Sequence, residues 1–474
     1  MHAALHATLW KAADRLRGSM DAAQYKDYVL SLVFLRCMCG STRFRTLAAE
    51  VAAAPGRAGA LVAAAMDELA AARQELAAMG QPLAGGGFDD RLLAGLVSLI
   101  AELPASGDVR DLLGEVYEYF LGQFARAEGK RAGEFYTPAS VVALLVEMLR
   151  PYSGRVYDPC CGSGGMFVQA EKFVLAQHGR PGAISVLGQE SNERTWRLAR
   201  MNLAIHQIAG NLGQRPADTF AADQHPDVTA DFILANPPFN MSSWARDPAR
   251  QWPYGAPPAG NANFAWLQFI AGKLAPGGRA GVVLANGSLS SRQSGEGEIR
   301  AAMVEAGIVS CVVALPPQLF RTTPIPACLW LLEAHDQRVD HGRQEILLID
   351  ARQLGTLTER TERVLADADI AAIAGRYHAW RRAEGPGAPR PHVPGFCRPV
   401  PLAEIRQHEH VLTPGRYVGV PERADADEEP PADRVERLAK ELLACFEESA
   451  RLEQAIRSQI EITRNYSEPT RPAF

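Results

Sequence analysis

No apolar run in this chain approaches the roughly 20 residues that a bilayer-crossing helix needs. The opening stretch MHAALHATLWKAADRLRG lacks the uninterrupted apolar core of a secretion signal, so a cytosolic location is expected. Positive charge is also short: 49 Lys and Arg stand against 54 Asp and Glu, a formal net charge of −5. A body of that sign does not grip nucleic acid unaided, and any contact with DNA must be local or borrowed from a partner. The eight cysteines (Cys37, Cys39, Cys160, Cys161, Cys311, Cys328, Cys397, Cys445) contain no CxxC pair with zinc-like spacing. They read as reduced thiols, with no metal site implied. The phosphate-cradling GxxxxGK[ST] pattern is missing, which disfavours a P-loop ATPase. Zinc finger, recognition-helix motif and basic region are missing too, so nothing here reads a DNA sequence. What is present is apolar material: 47% of 474 residues, enough for two or three domains.

Periodicity divides the chain in three. Residues 7 to 38 read as helix with a break at Met20-Asp21; in QYKDYVLSLVFLRCM, Tyr25, Val29, Leu32 and Val33 form an apolar stripe with Arg36 opposite. Alanine-rich segments from 47 to 79 continue the helical pattern to the Gly triplet at 85 to 87, and DLLGEVYEYFLGQFA closes an all-helical domain, 1–130. From 131 to 420 short strands alternate with helices. The strands are expected at 155 to 158, 185 to 190, 231 to 235, 280 to 286, 310 to 316, 327 to 333 and 345 to 351. Runs apolar on both faces predict a buried, mostly parallel sheet in a doubly wound α/β domain, with ligands beyond the carboxyl ends of its strands. The tail, 421–474, is an acidic linker followed by a helix in which Val435, Leu438, Leu442, Cys445, Ser449, Leu452 and Ile456 recur at spacings of three and four. That seam fits either packing on its own domain or a partner chain.

The chemistry-bearing residues lie where strands end. VYDPCCGSGGMF (156 to 167) puts Asp158 at a strand end, where it can accept hydrogen bonds from a ligand, and follows it with Gly162, Gly164 and Gly165, where a backbone can approach that ligand closely. Glu190 ends the next strand, where α/β folds place an acid for ribose hydroxyls. Asp218 in ADTF offers an acceptor for an adenine amino group, although a turn or cap aspartate reads the same way. The decisive element is DFILANPPFN (231 to 240), a buried strand that runs straight into Asn-Pro-Pro-Phe. An exocyclic amino group is a poor nucleophile because its lone pair is delocalised into the ring. The Asn236 side-chain oxygen and the Pro237 carbonyl can polarise its two N–H bonds, and Phe239 offers a flat face to the base.

GEFYTP (133 to 138), DPCCGSGG (158 to 165), GQES (188 to 191), MNLAIH (201 to 206), ADTF (217 to 220), NPPFN (236 to 240), NANFAWLQF (261 to 269), VLANGSLSS (283 to 291) and LPPQLF (315 to 320) together resemble the modification subunit of type I restriction-modification systems, of the gamma-class N6-adenine type. LWKAADRLRGSMDAAQYKDYVLSLVFL (9 to 35) and LTPGRYVG (412 to 419) extend that resemblance over nearly the entire chain. It implies S-adenosylmethionine as methyl donor, with Gly133, Glu134, Phe135, Tyr136, Thr137 and Pro138 flanking its methionine end. Asp158, Gly162, Ser163, Gly164 and Gly165 would form the main binding turn, Glu190 would hold the ribose and Asp218 the adenine. Asn236, Pro237 and Phe239 would receive the target base.

The resemblance further implies a separate specificity subunit, double-stranded DNA, a second copy of the chain and an optional restriction subunit as partners. The helix at 434 to 460 is expected to contact the specificity subunit. Two other readings use the same residues: a methyltransferase acting on a protein glutamine or on RNA, since an amide fits the same acceptor pair, and a cofactor-binding scaffold without activity.

Overall fold

A computed structural model describes residues 22–72, 89–102, 109–128, 137–178, 180–320, 325–334, 344–359, 362–383, 390–420 and 431–466. The chain divides into two compact units, Met1–Val420 and Pro421–Phe474.

Four helices open the first unit: α1 (Ala22–Ala53), α2 (Ala58–Ala72), α3 (Asp90–Ala101) and α4 (Val109–Glu128). α1 breaks at Gly40, whose φ of 77° only glycine adopts without strain. α3 starts where Asp89 accepts the Arg91 amide, a side-chain cap for an otherwise unpaired donor. The expected helical character holds, while the run at 7 to 20 and the Gly triplet lie outside the described residues. One expectation fails. Arg36, placed on a polar face opposite Val29 and Val33, is only 1% exposed, with its guanidinium 5.9 Å from the Phe44 ring. α1 is the central helix of this layer and packs on α2, α3, α4 and a later helix, α7 (Glu193–Ile205), and every residue from Tyr28 to Met38 is buried, so this part of it has no solvent face for an arginine. Leu198, Met201 and Ile205 of α7 belong to the same core as α1 to α4.

The strands are β1 (Gly154–Asp158), β2 (Ile184–Gly188), β3 (Gly210–Asn211), β4 (Ala230–Ala235), β5 (Leu274–Ala285), β6 (Val309–Ala314), β7 (Ala327–Glu333), β8 (Glu345–Asp350), β9 (Thr356–Glu359), β10 (Glu362–Val364) and β11 (Cys397–Pro401). Nine of them form one sheet in the order β11-β8-β6-β7-β5-β4-β1-β2-β3. The pairs β1–β2, β1–β4, β2–β3, β4–β5 and β6–β8 are parallel. β7 lies antiparallel between β5 and β6, and β11 antiparallel on β8. Side chains alternate across this sheet as a pleated strand requires. Val156, Leu234 and Val283 face a core shared with α5 (Ala139–Leu149), α6 (Gly165–His178) and α10 (Asp367–Arg382). Tyr157, Ile233 and Val282 face the opposite core, shared with α8 (Asn263–Gly272), α9 (Glu296–Glu305) and α11 (Leu402–Gln407).

From β1 the chain proceeds to β2 and β3 on one side and then returns to place β4 on the other. The connections therefore diverge between β1 and β4, and such a reversal opens a crevice beyond the carboxyl ends of the two strands. Asp158 is the last residue of β1, and Asn236 is the first after β4.

The described residues of the second unit form one long helix, α12 (Pro431–Tyr466), laced by the i,i+4 pairs Glu436–Lys440 and Arg437–Glu441. Val435, Leu438, Leu442, Leu452 and Ile456 along it are exposed.

Candidate active site

The turn after β1 is fixed by backbone before any side chain acts. The Gln189 N–H donates to the Asp158 carbonyl at 3.0 Å and the Cys161 N–H to the Gln189 carbonyl at 2.9 Å, so the β1–β2 ladder continues past the strand ends. Gly164 N–H then closes on the Cys161 carbonyl at 2.8 Å. This path needs φ of 54° at Gly162 and 78° at Gly164, the left-handed region where a Cβ is costly. Gly165 starts α6. The Ser163 carbonyl accepts from Asn202 Nδ2 at 3.0 Å, which ties the turn to α7.

Asp158 is 2% exposed, and its carboxylate accepts the Cys160 N–H at 3.0 Å. Burial raises its pKa to about 7; the bonds from Cys160 oppose that rise and the Glu190 charge adds to it. Such a carboxylate, with no cation beside it among the described residues, favours any ligand that brings N–H donors.

Glu190 lies two residues beyond β2, where one oxygen accepts the Gly162 N–H at 3.1 Å and the other the Asn192 N–H at 2.8 Å. Asp218 follows from Ala217, whose N–H donates to the Glu190 carbonyl at 2.9 Å. One Asp218 oxygen caps its own turn, accepting from Phe220 N–H at 2.8 Å and Ala221 N–H at 3.0 Å. Its Oδ2 has no hydrogen-bond partner among the described residues and stays available as an acceptor. Both readings of Asp218, turn cap and ligand acceptor, are thus compatible in one carboxylate.

Asn236 is 9% exposed, and its Nδ2 donates to Thr137 Oγ1 at 2.8 Å. That single bond brings the end of the GEFYTP segment to the end of β4. It also leaves Asn236 Oδ1 buried without a partner among the described residues, an acceptor whose desolvation they do not repay. Pro237 and Phe239 are buried beside it, and the Phe239 ring meets Phe320 of LPPQLF edge-on at 5.7 Å. Pro138 provides the N-terminal cap position of α5. Gly133, Glu134, Phe135 and Tyr136 lie outside the described residues.

Asp158, Gly162, Ser163, Gly164, Gly165, Glu190 and Asp218 therefore form one hydrogen-bonded rim over β1 and β2, and Thr137, Asn236, Pro237 and Phe239 another over β4. Sequence reasoning passed over the residues that join these segments. Gln189 is fully buried, donating to the Ala217 carbonyl at 3.0 Å and the Ala222 carbonyl at 2.9 Å and accepting from Gln224 N–H at 2.9 Å. Thr219 Oγ1 donates to the Pro159 carbonyl at 2.5 Å, and Asn240 and Asn263 exchange two bonds across the segment after Phe239. Gln189, Thr219, Asn202, Asn240 and Asn263 lie within GQES, ADTF, MNLAIH, NPPFN and NANFAWLQF, so the motifs held the signal and only the roles of these residues went unassigned.

The rim over β1 and β2 can hold a nucleoside with an extended polar substituent; the rim over β4 can orient an amino group through two oxygens. No cluster of His, Cys, Asp and Glu able to hold a metal ion occurs among the described residues.

Comparison with known proteins bears directly on this geometry. The family described as N-6 DNA Methylase matches residues 108–426, and the HsdM N-terminal domain matches residues 5–79. The chain is 48% identical over 362 residues to the type I restriction enzyme HindI methylase subunit of Haemophilus influenzae, covering 75% of this chain and 79% of that one. It is 30% identical to the MjaIX methylase subunit of Methanocaldococcus jannaschii, covering 95% and 89%. The crystal structure of a type I restriction-modification methyltransferase subunit from Streptococcus thermophilus superposes with a TM-score of 0.69 at 25% identity, covering 88% of this chain and 99% of that one.

Proposed function

Because the chain belongs to the N-6 DNA methylase family, we propose that the crevice between β1 and β4 is where it methylates adenine. The protein is a type I restriction-modification methyltransferase subunit that uses S-adenosylmethionine to methylate N6 of adenine in DNA. The matches favour this over the glutamine, RNA and scaffold alternatives.

The observation that carries the site assignment is Asn236 Oδ1: a buried acceptor with no partner among the described residues, at the strand end where the topology opens the crevice. An amino group polarised by that oxygen and by the Pro237 carbonyl becomes nucleophilic while it keeps its protons, and the ammonium charge that develops is stabilised by the same two oxygens. Thr137 holds the amide so that its oxygen, not its nitrogen, is presented. Bound S-adenosylmethionine supplies an electrophilic methyl carbon on sulfonium. Asp158 and the Gly162–Gly165 turn would hold its amino acid end together with Gly133 to Pro138, Glu190 its ribose and Asp218 Oδ2 its adenine amino group. Orientation of two bound reactants is worth roughly 7–11 kcal/mol in favourable cases, so these residues need supply no acid or base of shifted pKa at the moment of attack. The target atom is inside the duplex, and the base must be extruded into the crevice at a cost of a few kcal/mol.

With a net charge of −5 and no reading motif, the chain depends on partners for DNA. Methylase subunits of this type act in multi-subunit assemblies. A specificity subunit chooses the site, α12 docks on it through its exposed Val435–Ile456 seam, and a second copy of the chain and optionally a restriction subunit complete the complex. No single described helix is long and apolar enough to cross a membrane, and a cytoplasmic location fits a DNA-modifying assembly.

The test is Asn236→Ala in the complex with the specificity subunit. Methyl transfer to duplex DNA should fall by at least about 100-fold, the scale for losing one charge-stabilising group, while donor binding stays within twofold. Unchanged methylation would reject the site.

A further inference from the structure

The 22 residues from Met241 to Ala262 leave the catalytic strand end and return to α8. They form a strap with a fixed root. Asn240, next to Phe239, holds φ 53°; its N–H donates to Asn263 Oδ1 at 3.0 Å, and Asn263 Nδ2 returns a bond at 2.9 Å. Ala262 N–H closes the root on the Met241 carbonyl at 3.0 Å. The strap is held again further along, where Tyr254 N–H donates to Gln268 Oε1 at 3.1 Å and Gln268 Nε2 donates to the Gly255 carbonyl at 2.8 Å, so the motion left to it is that of the limb from Met241 to Trp252.

The body is stopped by an aromatic cluster whose centre is Phe220, two residues after Asp218. The Phe220 ring is buried, 4.4 Å from Trp266 and 6.1 Å from Phe269 of α8, and 5.1 Å from Trp244 of the strap. Trp244 stands edge-on to Trp252 at 5.8 Å, and its Nε1 donates to the Pro258 carbonyl at 3.4 Å. The Arg250 guanidinium lies 5.1 Å from the Phe269 ring, 5.8 Å from Phe220 and 5.8 Å from Trp252. Arg250 has no carboxylate partner among the described residues, and its Nη1 is buried without a hydrogen bond. Its charge is therefore stabilised by ring faces.

We infer that Trp244 and Arg250 are positioning residues that lock the strap, and with it the Asn236–Phe239 tetrapeptide, to the turn bearing Asp218. One ring, Phe220, backs that turn on one side and stops the strap on the other. Loss of the Arg250 cation frees the limb from Met241 to Trp252 to move and removes a wall from the Asp218 turn, so donor binding and base placement fail together. This rests on the roles proposed for Asp218 and Asn236.

The experiment uses the complex with the specificity subunit and three variants: Arg250→Gln, Arg250→Lys and Trp244→Phe. S-adenosylmethionine binding is measured by calorimetry without DNA, and kcat and duplex KM at saturating donor. Arg250→Gln should weaken donor binding and lower kcat, each by roughly 3- to 20-fold. Arg250→Lys and Trp244→Phe, which keep a cation and a ring, should recover most of both. An Arg250→Gln complex with donor affinity and kcat within twofold of the parent would overturn the inference. So would a variant that loses donor affinity while kcat at saturating donor is unchanged, because the two rims would then be independent. Failure of the functional assignment is recognised separately: the parent complex would bind donor and not methylate DNA, and the donor affinities alone would then decide whether Arg250 shapes the Asp218 turn.

Discussion

Replacing Asp158 by Asn should stabilise the donor-free protein above neutral pH while destroying its affinity for the donor. The folded chain holds the Asp158 carboxyl at a pKa of about 7 against an ordinary 3.8, chiefly because burial disfavours the charged form. The folded state then binds a proton that the unfolded state has already released, and stability falls as pH rises from about 4 through about 7. At 1.36 kcal/mol per unit, the part of that window between pH 5.5 and pH 8 costs the parent about 2 kcal/mol. An Asn at this position still accepts the Cys160 N–H and does not titrate, so the gap between variant and parent should widen by about 2 kcal/mol over that range. Urea unfolding at a series of pH values, without donor, reads the gap directly. Parallel stability curves for variant and parent would refute the reasoning, because they would mean that Asp158 titrates alike in folded and unfolded chains. Calorimetry on the same samples should show the opposite ranking for donor binding.

Three further outcomes follow from particular bonds. Gln189→Leu leaves the Ala217 carbonyl and the Gln224 N–H unpaired in a buried site and the Ala222 carbonyl with only the 3.4 Å bond from Gln224 Nε2, and should cost about 3 kcal/mol in unfolding free energy while weakening donor binding; a variant as stable as the parent would show that water replaces the amide. Thr137→Val frees the Asn236 amide to turn and should lower kcat roughly tenfold, with Thr137→Ser restoring it; the informative measurement is single-turnover methylation at saturating donor. Truncation after Val420 should leave donor affinity intact and abolish co-purification with the specificity subunit, and recovery of the intact complex at normal affinity would exclude α12 as the docking element.

The seven strands expected from runs of Val, Ile and Leu are all present, because a sheet covered on both faces demands apolar residues at consecutive positions, and these runs are short and bounded by turn residues, unlike the longer apolar runs of α1 and α5. The strands that went unread lack that signal. β3 has two residues, β9 and β10 form a small separate hairpin, and β11 carries Pro399 and Pro401 on an edge, where missing donors are tolerated. The burial of Arg36 has a related reason: helical periodicity assigns faces relative to one neighbour, and the Tyr28–Met38 part of α1 is covered on every side. At the site, Asp158, Glu190 and Asn236 were legible because strand ends place polar groups at a crevice. Gln189 was not, since its role is to join three loop segments whose proximity exists only after folding.

The sheet order explains why these motifs, spread over more than a hundred residues, share one crevice. Parallel strands put every carboxyl end at the same edge, so residues after β1, β2 and β4 converge without any contact between their own helices. The cost is concentrated there as well. Asp158 is buried and electrostatically unfavourable when ionised, and Asn236 Oδ1 is buried without a donor. Neither would survive in a marginal core, but β1 and β4 lie inside a nine-stranded sheet with apolar layers on both faces. A substrate that brings N–H groups to both carboxyl ends converts the two penalties into binding energy. This is why the ligand expected here is one with a donor amine at one rim and a base amino group at the other, and why Asp158→Asn and Asn236→Ala should separate, the first failing at donor binding and the second at transfer.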